Sequence, residues 1–396
     1  MNAIKSLSSF VLAAGIIATG WYLRQRRDTL RRPGPSQTSS TVSGSPNDKQ
    51  ILVEDVADHD LRTITQRKIK AELHCHLNGS VRRSTVSELI GNTEEADTDG
   101  IVHTIDDAFR EFKRVYRAIN SEKALRRIVR ETLEDALNDN VRYLELRTTP
   151  RKLSDIPSRK DYVHIVVDEI RRFDRLNVQR PLQTFPDDTI AVRLILTVDR
   201  TQPPSLGDQT VDIALRYPEI VVGIDFAGNP TVGSFSDFVS VFTRAKGHGL
   251  FTTVHTSEIQ GVEEETQAIL EFRPNRIGHF LFPTETQLSA LIDRGISIEA
   301  CPTSNICAIS GKSPEDGNVD GHHIIKRFIR DSRGLLSINT DDPGVFGKTL
   351  SEEMFAVAKT FKLTREEIDK MLISGAKQAF LSPSERVALE QAILES

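Results

Sequence analysis

Beyond residue 51 the chain alternates between short apolar runs and longer stretches in which apolar residues recur every three or four positions. The runs at 69–74, 141–147, 192–198, 220–226, 250–256, 276–280, 296–300 and 335–339 predict eight strands. The stretches at 122–138, 161–175, 211–217, 235–246, 263–272 and 324–330 predict helices between them. Strands that are apolar almost throughout, rather than at alternate positions, are buried on both faces, as in a parallel sheet covered by helices. Eight such units over roughly 250–300 residues predict an α/β fold, a (β/α)8 TIM barrel with extra helices, closed by a wholly helical tail after residue 350. An open doubly wound sheet would alternate in the same way, but its ligand crevice would draw on fewer strand ends.

The polar pattern favours the barrel. His74 and His76, Thr148 to Arg151, Asp199, Gly228, His255, His279, Ser304 and Asn305, and Asp341 and Asp342 all fall at or just after predicted strand ends. A barrel gathers every strand C-terminus on one face, so groups far apart in sequence converge there.

One apolar stretch lies outside this alternation. Residues 6–23 carry no charge, end on Trp21 and Tyr22, and are followed by Arg24, Arg26, Arg27, Arg31 and Arg32. This length is at the lower limit of the about 17–25 residues that span a bilayer core as a helix. The arginines after it predict a cytoplasmic C-terminal side. A membrane anchor is therefore expected within residues 1–32, with a mitochondrial transit peptide as the alternative. A secretory signal fits less well, because only Lys5 precedes the apolar run. Residues 33–50, dense in Ser, Thr, Gly and Pro, read as a flexible linker, and residues 51–396 as one barrel.

Charge sharpens this division. The 396 residues hold 51 Lys and Arg against 56 Asp and Glu, a net −5. Residues 1–32 hold six cations against Asp28, or +5, which leaves −10 on the remaining 364. An acidic body argues against a nucleic-acid partner, and three cysteines argue against a secreted disulfide scaffold.

His74 and His76 stand two apart in a strand, so both imidazoles face one side, while Cys75 faces the other as a small buried filler. An HxH alone is a weak signal. His255 at the fifth strand end and Asp341 at the eighth complete three imidazoles and a carboxylate, a set that suits one Zn²⁺ with a position left for water. Taken singly, His255 reads equally as a core histidine and Asp341 as a helix N-cap ahead of Pro343. Four such residues at strand ends 1, 5 and 8 favour the metal. The fourth strand end, Ile224 to Pro230, has no lysine to bridge a second ion. Nor does Cys301-Pro302 to Cys307 match the H-x-E…P-C-x-x-C pattern of cytidine-type deaminases. Glu258, three residues beyond His255, is placed to stay protonated as a general acid, and His279 to orient or deprotonate the attacking water. Of the adjacent pair, Asp341 would face metal and Asp342 substrate.

These residues resemble the adenosine deaminase family of mononuclear zinc barrels. The motifs are His74-Cys75-His76-Leu77-Asn78-Gly79-Ser80, His255-Thr256-Ser257-Glu258, Arg276-Ile277-Gly278-His279 and Asn339-Thr340-Asp341-Asp342. Asn78, the run Glu145 to Arg151 and Thr303-Ser304-Asn305 are most similar to its adenosine deaminase-like branch, the N6-methyl-AMP deaminases. The resemblance implies that His74, His76, His255 and Asp341 bind one zinc ion per chain. It also implies that Glu258 protonates purine N1 and that His279 assists the attacking hydroxide. His76 would also face substrate, Gly228 and Asp342 would hold the base edge, and Asp199 would line the pocket. Asn78 and the loop Thr148, Thr149, Pro150 and Arg151 would hold ribose and phosphate. An arginine after a threonine-rich turn suits phosphate oxygens, although one that merely begins a helix in solvent would look the same. Tyr116 stands where this branch more often has a substrate-contacting histidine, and Phe280 stands where glycine is common, which would narrow the pocket.

The activity so implied is hydrolysis at C6 of N6-substituted purine nucleoside monophosphates, N6-methyl-AMP giving IMP and methylamine, by a monomer. Adenosine or AMP deamination releasing ammonia is the alternative. An inactive membrane-anchored scaffold is a third reading; such a descendant would be expected to have lost a ligand or the proton donor, and none is missing.

Overall fold

The computed structural model describes residues 57–91, 102, 104–173, 184–185 and 189–396. Its centre is a sheet of eight strands in sequence order: β1 (Lys70–His76), β2 (Val141–Thr148), β3 (Ala191–Asp199), β4 (Val221–Ala227), β5 (Phe251–Thr256), β6 (Arg276–His279), β7 (Ser297–Ala300) and β8 (Leu336–Ile338). Each strand pairs in parallel with the next. At the seam, Cys75 and Asp341 form a parallel bridge. Asp341 N–H donates to the His74 carbonyl and His76 N–H to the Asp341 carbonyl, each at 2.8 Å. The sheet thus closes into the predicted barrel, and its last hydrogen bonds lie at candidate metal-binding positions.

All eight predicted strands are present, with ends moved by a residue or two. Every residue of β2 is buried, the polar Arg142, Glu145, Arg147 and Thr148 included, so both faces of the strand are covered. The predicted helix 263–272 is found as Glu263–Phe272, and 122–138 as Glu122–Asn138. That at 211–217 instead runs Pro204–Ala214, because Pro204 at its first turn presets the helical φ. The stretch 235–246 is broken into a 3-10 turn, Phe235–Phe238, whose entry is capped by Ser234, and the helix Val239–Gly247.

Charged residues, rather than the usual branched apolar layers, fill much of the barrel interior. Arg147, Arg276, Glu145 and Glu299 are all buried. Arg276 Nε donates to Glu299 Oε1 at 2.6 Å, its Nη2 pairs with Glu145, and Arg147 Nη2 donates to Glu299 Oε2. The helical tail plugs the opposite end: the Gln378 carbonyl accepts from Arg276 Nη1 at 2.7 Å, and Phe380 lies under the Arg276 guanidinium at 3.5 Å. Every charge in this layer has a partner of opposite sign, the condition under which buried ions are tolerated.

Among the described residues no helix is long and apolar enough to cross a membrane. Residues 6–23, where the anchor is expected, and the linker 33–50 lie outside the described residues.

Candidate active site

The strand ends bring four donors together. His74 Nδ1 donates to Glu299 Oε2 at 2.8 Å, leaving Nε2 buried and without a partner. His255 Nδ1 donates to Asp225 Oδ1 at 2.9 Å, and its Nε2 lies 3.2 Å from His76 Nε2. Asp341 Oδ1 lies 3.4 Å from His74 Nε2 and 3.5 Å from His76 Nε2, while Oδ2 accepts from Ser304 Oγ at 2.6 Å. Ligands about 2.0–2.1 Å from one tetrahedral ion stand roughly 3.3–3.4 Å apart, close to these separations. Two like nitrogens facing each other, an orphaned imidazole nitrogen and a carboxylate at their centre together fit one divalent cation. The chain adopts positive φ at Asp341 (63°), His279 (64°), Phe280 (56°) and Ser257 (54°). Such strain in non-glycine residues collects where side chains must be aimed.

Beside this cluster sit two carboxyls that burial keeps from ionising readily. Glu258 is pushed up to about 7, and its Oε2 is buried without a partner. Asp342 is raised well above the usual carboxylate range, first by burial and then by the charges of Asp341 and Glu258. Asp341 behaves oppositely: burial would raise it, but the nearby His74 ring and the other imidazoles around it hold it well below. One of two adjacent carboxyls is thus an anion and the other an acid.

These groups line a cavity at the ends of the strands. His76, Asn78, Tyr116, Thr148, Thr149, Asp199, Gly228, Glu258, His279 and Asp342 all border it. Gly228 has φ +122°, and a Cβ there would meet Asp199 Oδ1 at 2.9 Å, so only glycine lets the wall pass so close. Asp199 binds Thr201 through Oδ1 and leaves Oδ2 buried and free. Pro150 and Arg151 do not border the cavity. Arg151 stacks on Tyr116 at 4.6 Å, donates to the Ile119 carbonyl at 3.2 Å, and keeps a buried Nε without a partner. The Thr148 hydroxyl is shared with Tyr162 Oη at 2.8 Å. Phe280 does not narrow the pocket: at positive φ it turns into the hydrophobic core and is fully buried.

A family profile described as adenosine deaminase matches residues 69–396. The chain belongs to the adenosine deaminase family. It is 35% identical over 318 residues to the N6-methyl-AMP deaminase of Danio rerio, covering 76% of this chain and 86% of that one. The apo structure of the N6-methyl-AMP deaminase from Arabidopsis thaliana matches with a TM-score of 0.75 at 32% identity, covering 85% and 98% of the two chains. A structure of Arabidopsis ADAL complexed with IMP matches with a TM-score of 0.73 at 31% identity, covering 84% and 97%.

Around this deaminase-family cluster stand residues that sequence reading missed. Asp225 and Glu299 hold the far nitrogens of His255 and His74, and Arg147 borders the cavity while lying 3.6 Å from Asp225. The signal was a lone acid inside each of the otherwise apolar runs Val221–Ala227 and Ser297–Ala300, since a buried carboxylate demands a partner.

Proposed function

We propose that this chain hydrolyses N6-methyl-AMP to IMP and methylamine, water adding at C6 as the C6–N6 bond breaks. The observation that carries this reading is Glu258, a buried carboxyl poised near pH 7 beside an imidazole–carboxylate metal cluster. The names of the relatives and the IMP-bound neighbour support the substrate. His74, His76, His255 and Asp341 would hold one zinc ion. When bound, zinc lowers the pKa of a coordinated water to about 7 and so supplies the nucleophile.

The remaining work falls to side chains. Glu258 delivers a proton to N1 as C6 becomes tetrahedral, which moves electron density onto the ring and away from the scissile bond. Asp342, kept neutral, offers its O–H to a ring nitrogen, with the Gly228 backbone along the same edge. His279 faces the reacting oxygen. Asn78 and Thr149 meet ribose and phosphate, and Arg151, one layer back against Tyr116, supplies charge to the phosphate. The protein acts as a monomer, tethered through residues 6–23 with the barrel on the cytosolic side.

The test offers N6-methyl-AMP, AMP and adenosine side by side to the zinc-loaded protein and to Arg151→Ala. Fastest turnover of N6-methyl-AMP is expected, with KM for the nucleotide raised about 2–5-fold in the variant, the size of a charge–charge attraction without a direct hydrogen bond. Preferred turnover of adenosine would overturn the phosphate assignment. A fluorescent fusion with and without residues 1–32 tests the tether, and identical diffuse signals would reject it.

A further inference from the structure

The sequence leaves two roles open for His279: orienting the attacking water or deprotonating it. The hydrogen bonds behind it distinguish between them. Asn305, fully buried in the helix Pro302–Ser310, has three neighbours. The backbone N–H of Cys301 donates to its Oδ1 at 3.0 Å. His322 Nε2 lies 2.9 Å from the same oxygen, and Asn305 Nδ2 lies 2.8 Å from His279 Nδ1. A peptide N–H only donates, so the Cys301 contact fixes which end of the carboxamide is oxygen. Nδ2 carries hydrogens and no lone pair, so it donates, and His279 Nδ1 must be bare to accept.

The far end of the chain is fixed in the same way. The Ile325 N–H donates to His322 Nδ1 at 3.4 Å, so a neutral His322 carries its proton on Nε2 and donates to Asn305. His322 is fully buried, and burial pushes it down to about 3, so it stays neutral. Two peptide N–H groups thus set the direction of the whole run His322 to Asn305 to His279. The neutral His279 ring then holds its one proton on Nε2. That nitrogen is buried without a partner, in a ring that borders the cavity and lies 5.0 Å from the rings of both His74 and His255.

We propose that Asn305 and His322 are positioning residues that lock His279 as the Nε2–H tautomer, making it a hydrogen-bond donor at the reacting centre and not a proton acceptor. As a statement about catalysis this rests on the deaminase reading. As a statement about tautomers it does not.

The experiment records ¹⁵N spectra of histidine-labelled, zinc-loaded full-length protein without substrate. His279 is expected to show a protonated Nε2 and a bare Nδ1; the opposite pattern overturns the proposal. Asn305→Asp replaces the donor with a carboxylate that accepts, so the pattern should invert to Nδ1–H. Turnover of N6-methyl-AMP should then fall about 10²-fold, the cost of one preorganised donor, with zinc content retained. Were His279 a base, the same variant would keep or raise turnover. His322→Leu should loosen the pattern and lower turnover, and His322→Gln, which still offers an N–H to Oδ1, should restore both. Failure of Gln to restore either would remove His322 from the run. A wild-type protein inactive on N6-methyl-AMP would overturn the deaminase reading, while its spectra would still decide the tautomer.

Discussion

Asp225 Oδ1 lies 2.9 Å from His255 Nδ1, so the ring that ends β5 turns its Nε2 to within 3.2 Å of His76. The carboxylate keeps its charge although burial opposes it, because the adjoining His255 ring and the Arg147 guanidinium outweigh the loss of water. An ionised acceptor there fixes the imidazole proton on Nδ1 and leaves Nε2 bare for a cation. Asp225→Asn presents a neutral amide of similar size in its place. Zinc affinity should fall about 10–100-fold, measured by competition with a chromophoric chelator, while circular dichroism stays unchanged. Unaltered affinity would mean that the ring is oriented by packing alone.

Glu258 should set the alkaline limb of the pH–rate profile. Its carboxyl is raised from 4.5 to about 7, chiefly by burial, so near neutrality about half of it holds the proton that N1 needs. Above that value the protonated fraction falls tenfold per pH unit, and kcat/KM should fall with it. Glu258→Gln should lose about 10²–10⁴-fold in turnover, the range of general acid catalysis, and retain zinc near one ion per chain by elemental analysis. A profile flat to pH 9 in the wild type would assign proton delivery elsewhere.

The barrel was legible because burial on both faces leaves a nearly continuous apolar signature, and the period of two put His74 and His76 on one side. The residues that touch those imidazoles were not. Asp225 and Glu299 are visible in the sequence as acids inside strands, but which ring each meets depends on strand register and barrel closure. Arg151 was expected to face phosphate directly. Its guanidinium is instead held against Tyr116, a cation–ring contact between loop and helix that no local pattern encodes. Phe280 was misplaced for a backbone reason: two consecutive positive φ angles, at His279 and Phe280, reverse the alternation a strand would continue.

Gly79 is predicted to be irreplaceable for a steric reason. A Cβ at this position would stand 1.6 Å from Asp342 Oδ1, so alanine must displace the acid from the cavity wall. Gly79→Ala should lower kcat/KM at least tenfold with zinc content retained. Gly247→Ala is the control: a Cβ there meets nothing within 4 Å at the end of the helix Val239–Gly247, and activity should be unchanged.

Glu353 should make the fold less stable as pH rises. Its Oε2 accepts from the Thr303 N–H at 3.1 Å, its Oε1 is buried without a partner, and burial raises the carboxyl from 4.5 to about 8. Because the folded pKa is the higher one, the folded state binds the proton more tightly than the unfolded chain. This contribution to stability is fully present below pH 4.5 and is lost as pH rises through about 8. Glu353→Gln keeps an acceptor for Thr303 and has no charge to desolvate, so its stability should not carry this dependence. Thermal melts of both proteins at pH 5.5, 7 and 8.5 should show the variant gaining on the wild type at each step. The gain expected is on the order of a few kcal/mol at most. A difference that stays constant across the three would show that Glu353 titrates as it does in the unfolded chain.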